Sequence, residues 1–310
     1  VVESWLNAST SSYNRGRVLS VYSLVYLASM GAGQPLISVF PPQSFEIFAV
    51  TSILMSLCLV PVTLAQVSGT PEVGRSSVRL WETFRRAPLA TVGVFVSGMT
   101  GEALWGLAPR YGQQLEFATG TIGVFMLTLS VGALALQWPL GWLSDHRDRR
   151  LSILLAAGVG AVAAMGLALY RGGGVGLFGL AFLIGAFVMP LYSLSLAMVN
   201  DQLTPGEMVH AASALIVFYG VGSALGPYTA GLAMSRLVPR GLFAFIGVIL
   251  AVYTLFDLLR LQITPRLQAR HRERYRAYPR TTFAAFTLLR RSSRRQRREE
   301  RAKQDSSSEE

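Results

Sequence analysis

Carboxyl groups lie inside long apolar stretches of this sequence at Glu102 and, near the tail, at Asp257. A carboxylate is costly in hydrocarbon, so Glu102 is expected to face the interior of a helix bundle. Desolvation favours the protonated form of a carboxyl group, which suits a proton carrier. Trp105 follows on the same helical face, and Arg110 two turns later. Glu102 is thus a candidate for proton coupling or substrate contact; the alternative is a carboxylate near the outer water surface.

Polar and aromatic side chains accompany prolines in other apolar stretches. Gln137 precedes Pro139, Tyr192 follows Pro190, and Tyr219 lies in a third stretch. Each is a candidate lining residue of a polar cavity near the membrane midplane. Each fits equally well a hydrogen bond between helices or a position in the interfacial belt, so the alternatives stay open.

Residues 141–150, Gly-Trp-Leu-Ser-Asp-His-Arg-Asp-Arg-Arg, place a run of charges between two apolar stretches. Because charge is costly in hydrocarbon, this run must lie at a membrane surface. Gly141 allows close approach of helix ends. Asp145 can pair with an arginine or with the positive end of a helix dipole, and Arg149 and Arg150 can bond to carboxylates and helix carbonyls.

The composition is that of an integral membrane protein. Charged residues make up 15% of the 310 residues and apolar residues 51%, whereas soluble domains carry roughly 25% charge. The net charge is +11, and the segment 260–310 holds 15 basic and 6 acidic residues. Cys58 is the only cysteine, which excludes a disulfide within the chain.

A membrane-spanning helix needs about 20 mostly apolar residues. Eight stretches qualify, and runs this continuous are typical of helices rather than of barrel strands. The predicted spans are 18–40, 45–65, 88–109, 120–143, 151–170, 175–199, 211–234 and 242–259. The sequence therefore predicts an all-α polytopic membrane protein with eight transmembrane helices.

The distribution of basic residues predicts the orientation, because Arg and Lys accumulate on the cytoplasmic side. If Arg15 and Arg17 are cytoplasmic and the spans alternate, that side holds 24 of the 28 basic residues. The charged run at 141–150 and the C-terminus are then cytoplasmic.

The order Gly-x-Leu-Ser-Asp-x-x-x-Arg-Arg at 141–150 resembles the cytoplasmic loop signature of the major facilitator superfamily of secondary transporters. The resemblance implies a fold of twelve helices in two six-helix halves, of which this chain would hold helices 5–12 and lack the N-terminal part. Residues 1–65 would then form the end of helix 4 together with helices 5 and 6, and residues 66–87 would form the cytoplasmic linker. Residues 88–259 would form helices 7–12. Residues 260–310 would form a basic cytoplasmic tail that is expected to be disordered.

The same resemblance implies that the charged run is a latch that holds one conformation closed on the cytoplasmic side. Its members would be Gly141, Asp145, Arg149 and Arg150, with Arg15 and Arg17 supplying partners from the other half. The alternative is a cluster of surface anchors with no gating role. His146 stands where the superfamily usually has Arg or Lys, and Asp148 stands where it often has Gly. These two departures imply a weaker latch.

Related Gly–Pro patterns occur on the first and seventh predicted spans. They consist of Gly31, Gly33 and Pro35, and of Gly222, Gly226 and Pro227. They resemble the antiporter motif of the superfamily. Helix packing is a sufficient explanation, because small residues let helices pack backbone to backbone and proline bends a helix.

The residue order at positions 3–7, 14–17 and 141–150 resembles that of the YcaD-like branch of bacterial members. This resemblance does not indicate which substrate is transported. The expected function is secondary active transport of a small organic molecule across the cytoplasmic membrane by alternating access, as proton-coupled efflux. The alternatives are a sugar or metabolite uniporter or symporter and, from another class, a non-transporting membrane sensor or scaffold.

The sequence contains no phosphate loop, metal cluster or nucleophile arrangement. The protein is therefore expected not to be an enzyme and to have neither a metal site nor a cofactor. An ion gradient, of protons, would supply the energy for transport. The expected partners are the substrate and the bilayer, with anionic lipid at the basic tail, where attraction is worth about 1 kcal/mol per residue. An Arg-rich run also suits nucleic acid, but no fold or aromatic platform accompanies it, so none is expected. A monomer is expected.

Overall fold

The computed structural model describes residues 44–64, 80–202 and 205–263, together with the single positions 25, 29, 33, 39 and 40. Most of the predicted first span, of the 66–87 segment and of the tail lies outside these residues. The helices of the described part are α1 (Phe45–Leu64), α2 (Leu80–Arg86), α3 (Pro88–Gln114), α4 (Thr119–His146), α5 (Arg149–Leu169), α6 (Val175–Val188), α7 (Leu191–Gln202), α8 (Pro205–Arg236) and α9 (Gly241–Ile263). No strand occurs among the described residues.

Five helical stretches in the described part are long and apolar enough to cross a membrane. They are Thr119–His146, Arg149–Leu169, Val175–Val199, Ser213–Arg236 and Gly241–Arg260, and the bent pair α2 and α3 can form a sixth. α1 adds an apolar helix of 20 residues. The prediction of an all-α polytopic membrane protein is therefore confirmed, and every predicted span except 18–40 coincides with described helices.

The boundary between α2 and α3 lies at Ala87, immediately before Pro88. A residue that precedes proline is pushed away from helical backbone angles, and Ala87 has φ −130° and ψ 59°. The two helices consequently meet at 115°. The end of the predicted 66–87 linker is thus helical in the structure, at Leu80–Arg86.

The predicted span 175–199 is not one uninterrupted helix. α6 ends at Val188 and α7 begins at Leu191, so the break falls beside Pro190. Proline has no backbone N–H and clashes with the preceding turn, which explains the interruption. At the other end of α6, Gly174 has a φ of 67°, which glycine adopts without steric cost.

The helices after Ala87 form one packed bundle. α3 packs on α8, α9 and α7, while α5 packs on α9 and α6, and α4 packs on α6. At one end an aromatic cluster closes the core, with the rings of Tyr111 and Phe243 edge to face at 4.6 Å and Phe125 beside both. The opposite end carries the turn between α4 and α5, and we call it the loop end.

Large apolar side chains cover much of the outer surface of the bundle. Trp138 is 75% exposed, Val162 74% and Val175 90%. An extended apolar surface would make a soluble protein associate, whereas in a bilayer it contacts lipid. On α1, the Cys58 side chain is also exposed.

Candidate functional site

The guanidinium group of Arg149 is the centre of an ion-pair cluster at the loop end. Its Nε donates to Asp201 Oδ2 at 2.5 Å, and a terminal nitrogen lies 3.3 Å from Asp145 Oδ1. The other terminal nitrogen donates to Ser144 Oγ at 3.3 Å. Arg149 is only 5% exposed, so this cluster joins the ends of α4, α5 and α7 through a nearly buried charge.

The turn that positions Arg149 is much shorter than the charged run suggested. Residues 141–146 belong to α4, and only residues 147 and 148 separate it from α5. The Asp148 side chain caps α5, because its Oδ1 accepts a hydrogen bond from the Arg150 backbone N–H at 3.1 Å. Asp148, a departure from the superfamily pattern, therefore has a structural role of its own here.

Replacing Asp148 by alanine is expected to lower the free energy of unfolding by about 0.5–2 kcal/mol, because the first turn of α5 loses its cap. Asp148→Asn keeps a side-chain acceptor and should lose much less. Thermal unfolding of both variants in lipid nanodiscs measures the difference. An equal loss in the two variants would assign the effect to the charge and refute the cap.

The other predicted latch residues are placed differently. Arg150 is 6% exposed, and Gly141 is buried within α4. The exposed ring of His146 packs against Trp142 at a tilt of 31° with 4.4 Å between ring centroids, and its Nδ1 lies 2.8 Å from the Trp142 carbonyl oxygen. The predicted partners from the other half, Arg15 and Arg17, lie outside the described residues.

A second cluster joins three helices away from the loop end. The Tyr219 hydroxyl on α8 donates to Glu102 Oε1 on α3 at 2.7 Å. The ring of Tyr192 on α7 meets the Tyr219 ring edge to face at 5.2 Å. Three residues that the sequence suggested separately are thus brought together. Glu102 is half-buried and lies 12 residues before Gln114, the end of α3, or about 18 Å along the helix axis.

The remaining candidates of this group lie around the cluster without bonding to it. Trp105 packs partly buried against the core. Arg110 is exposed and lies within α3, four residues before its end, and it forms no ion pair with Glu102. Gln137 is half-buried on α4, and no hydrogen bond or ring contact between described residues joins it to Glu102, Tyr192 or Tyr219.

Glycines let the backbones of α3 and α8 touch beside this cluster. A Cβ at Gly226 would overlap the Met99 carbonyl oxygen, and one at Gly222 would overlap that of Phe95. From the other side, a Cβ at Gly98 would lie 2.6 Å from the Tyr219 carbonyl oxygen. We call this contact the glycine seam, and Gly222 and Gly226 belong to the pattern that the sequence suggested for packing.

The other members of the two Gly–Pro patterns are less engaged. Pro227 lies half-buried within α8. No described atom lies within 4 Å of the position that a Cβ at Gly33 would occupy, so Gly33 makes no close contact with the described residues. Gly31 and Pro35 fall outside them.

Two acidic residues to which the sequence pattern assigned no role occupy important positions. Asp201 is the partner of Arg149, although 52 positions separate them. Because the predicted spans alternate in direction, the end of the 175–199 stretch lies on the same side of the membrane as residues 141–150. This relation could have identified Asp201 as a partner for the charged run. Asp257 is completely buried, and neither of its carboxylate oxygens has a hydrogen-bond partner among the described residues. The sequence showed that an acidic residue lies in this apolar stretch, but not that its carboxylate oxygens lack hydrogen-bond partners among the described residues.

The architecture defines a polytopic helical membrane protein with an ion-paired end and a carboxyl–phenol cluster between its helices. A family model described as Major Facilitator Superfamily matches residues 1–178 and, overlapping them, residues 91–296. The chain belongs to the major facilitator superfamily. It is similar to proteins described as uncharacterized MFS-type transporter YcaD from Salmonella typhi, Salmonella paratyphi B and Salmonella typhimurium, each 28% identical over 267 residues, which are 86% of this chain and 69% of the relative.

Family membership makes the chain a secondary transporter that is integral to a membrane and acts on small molecules there, rather than an enzyme. The predicted superfamily, the YcaD-like relationship and the assignment to transporters are therefore confirmed.

Proposed function

We propose that the chain exports a small organic molecule across the cytoplasmic membrane by alternating access, in exchange for protons. The observation that carries this proposal is the hydrogen bond from Tyr219 to Glu102. It crosses between two membrane-length helices and joins a half-buried carboxyl group to a phenol near the middle of α3. A carboxyl group in such a position can bind a proton or a polar substrate group, and competition between the two couples their movements.

The aromatic rings beside Glu102 give the proposed site its second component. Tyr192 and Tyr219 pack edge to face, and Trp105 lies one turn from Glu102 on the same helix. Ligand sites combine apolar and aromatic walls with a few polar groups that fix orientation, and this cluster has that composition. It supports a small organic substrate with at least one polar or cationic group.

The cluster around Arg149 supports the second half of the mechanism. An arginine that bonds two carboxylates from different helices holds their ends together, and alternating access requires such contacts to form in one state and break in another. With the loop end in the cytoplasm, as the arginine distribution predicts, the cluster acts as the latch. Arg15 and Arg17, Gly141 and Arg150 remain predicted members.

The energy source in this proposal is the proton gradient, with no cofactor or metal. The protein is proposed to act as a monomer in the cytoplasmic membrane, with its C-terminus in the cytoplasm and the basic segment 260–310 attracting anionic lipid. Uniport or symport of a sugar or metabolite, and a sensor or scaffold without transport, are the alternatives that the experiment must separate.

Replacing Glu102 by glutamine is expected to abolish proton movement driven by substrate, because an amide cannot exchange a proton. Everted membrane vesicles that contain the native protein, energised with a pH gradient and given ethidium as a cationic probe, should accumulate it and lose part of the gradient. Tyr219→Phe removes one hydrogen bond to a carboxyl group and should weaken the apparent affinity for ethidium about tenfold.

The matched control for these variants is Glu116→Gln, which changes an exposed carboxyl group between α3 and α4 and should behave as wild type. Ethidium accumulation without loss of the pH gradient would contradict proton coupling and favour a uniporter. Unchanged gradient loss in Glu102→Gln would remove Glu102 from the mechanism. Folded protein that moves neither ethidium nor sugars would favour the sensor or scaffold.

A further inference from the structure

Asp257 is buried in the loop end of the bundle, on α9. One turn earlier on the same helix, the Tyr253 hydroxyl donates to the Leu89 carbonyl oxygen at 3.1 Å, which holds this part of α9 against the start of α3. On another face of α9, the Thr254 methyl group lies 3.7 Å from the position that a Cβ at Gly158 on α5 would occupy. Asp257 therefore lies where α9 is covered by both neighbours, and its side chain is 0% exposed.

Among the described residues, the carboxyl group of Asp257 lacks the partners that normally accompany a buried charge. None of them donates a hydrogen bond to either oxygen, and none forms an ion pair with Asp257. A buried carboxylate that is neither paired nor hydrogen-bonded is strongly unfavourable, and such a group takes up a proton instead. Glu102 differs, since it is half-buried and bonded to Tyr219.

The charged groups that act on Asp257 belong to the turn at the loop end. Arg150 and Asp148, both at the start of α5, interact with it electrostatically, and they oppose each other in sign. Among the described residues, the Tyr253 phenol also lies near Asp257, and the uncharged Ser195 hydroxyl lies beside that phenol. Arg150 follows Arg149 directly, so movement of the latch would move a positive charge that acts on Asp257.

We infer that Asp257 is a proton-binding site at the loop end, occupied in this conformation and emptied when the latch opens. On opening, the carboxyl O–H bond breaks, its electron pair stays on the carboxylate, and a water molecule that enters the opened end accepts the proton. Arg150 then stabilises the carboxylate. The ligand is the proton alone. Its release rests on the proposed latch, whereas its binding in this conformation depends neither on the Glu102 cluster nor on the proposed substrate.

Infrared difference spectroscopy of the full chain in lipid nanodiscs tests this site. The wild-type protein should show a protonated-carboxyl C=O band that persists at neutral pH, where an ordinary aspartate is almost entirely ionised. Asp257→Asn should lose this band completely, whereas Glu102→Gln and the exposed control Glu116→Gln should retain it. The amide of Asp257→Asn resembles the neutral acid in size, so this variant should fold.

Isotope labelling gives a measurement that needs no substitution. The band should shift when aspartate carboxyl carbons carry ¹³C and stay fixed when glutamate carboxyl carbons do. Absence of the band at neutral pH, its persistence in Asp257→Asn, or its loss in Glu102→Gln alone would overturn the inference. Loss of the band when sodium replaces potassium at constant pH would also overturn it, because the site would then bind a metal cation.

Discussion

Replacing Arg149 by alanine is expected to lower the free energy of unfolding by about 3–5 kcal/mol. The substitution leaves Asp145 and Asp201 facing each other at the loop end without the cation that holds them, and breaking one partner of a buried pair typically costs this much. Both carboxylates are largely covered, with side-chain exposures of 16% and 18%. Thermal and denaturant unfolding in nanodiscs measure the loss.

Arg147 supplies the control for this experiment, because it lies two residues away in the same turn and is exposed. Arg147→Ala removes the same charge and should change stability by less than about 0.5 kcal/mol. Asp201→Asn should lower the free energy of unfolding by part of the amount that Arg149→Ala does. Equal and small losses in Arg149→Ala and Arg147→Ala would show that the Arg149 cluster is a set of surface charges, the alternative that the sequence left open.

The glycine seam gives the second large effect. Gly226→Val is expected to separate α3 from α8, because the added side chain would collide with the backbone of Met99, which cannot rotate away. Overpacking typically costs about 1–3 kcal/mol and occasionally more, and contact with backbone favours the upper end. The separation should also weaken the Tyr219–Glu102 hydrogen bond and therefore reduce transport together with stability.

Gly220 lies on the same helix, and no described atom lies within 4 Å of the position that a Cβ at Gly220 would occupy. Gly220→Val is therefore the matched control. This variant makes the same change in helix propensity within α8 but does not force a side chain against the backbone of α3. Comparing melting temperatures of the two valine variants isolates the contact from the propensity. If Gly220→Val is as destabilising as Gly226→Val, the close approach of α3 and α8 is not what the glycines provide.

Hydropathy predicted most helices because lipid imposes a simple rule: a span must be long, apolar and internally hydrogen-bonded. The same measure missed the break beside Pro190 and the shortness of the turn after His146. Both depend on backbone chemistry, namely a missing N–H and a side-chain cap, to which an average of side-chain polarity is insensitive.

The candidate site was only partly predictable. Glu102 and Tyr219 were each identifiable as polar groups in apolar stretches, but 117 positions separate them, and only tertiary packing shows that they bond. Gly222 and Gly226 were recognisable from their four-residue spacing on one helix face. The isolation of Asp257 depends on which side chains surround it in three dimensions, and no local pattern in the sequence encodes that.

Cys58 has a practical consequence for following the transport cycle. As the only cysteine in this sequence, with its side chain exposed on the apolar helix α1, it gives a membrane-permeant, thiol-reactive fluorophore one attachment point among these residues. A second cysteine introduced at the exposed position of Arg147 would complete a donor–acceptor pair between α1 and the turn after α4. Energy transfer within that pair would then report, molecule by molecule, whether the α4–α5 turn moves relative to α1 when a pH gradient is imposed.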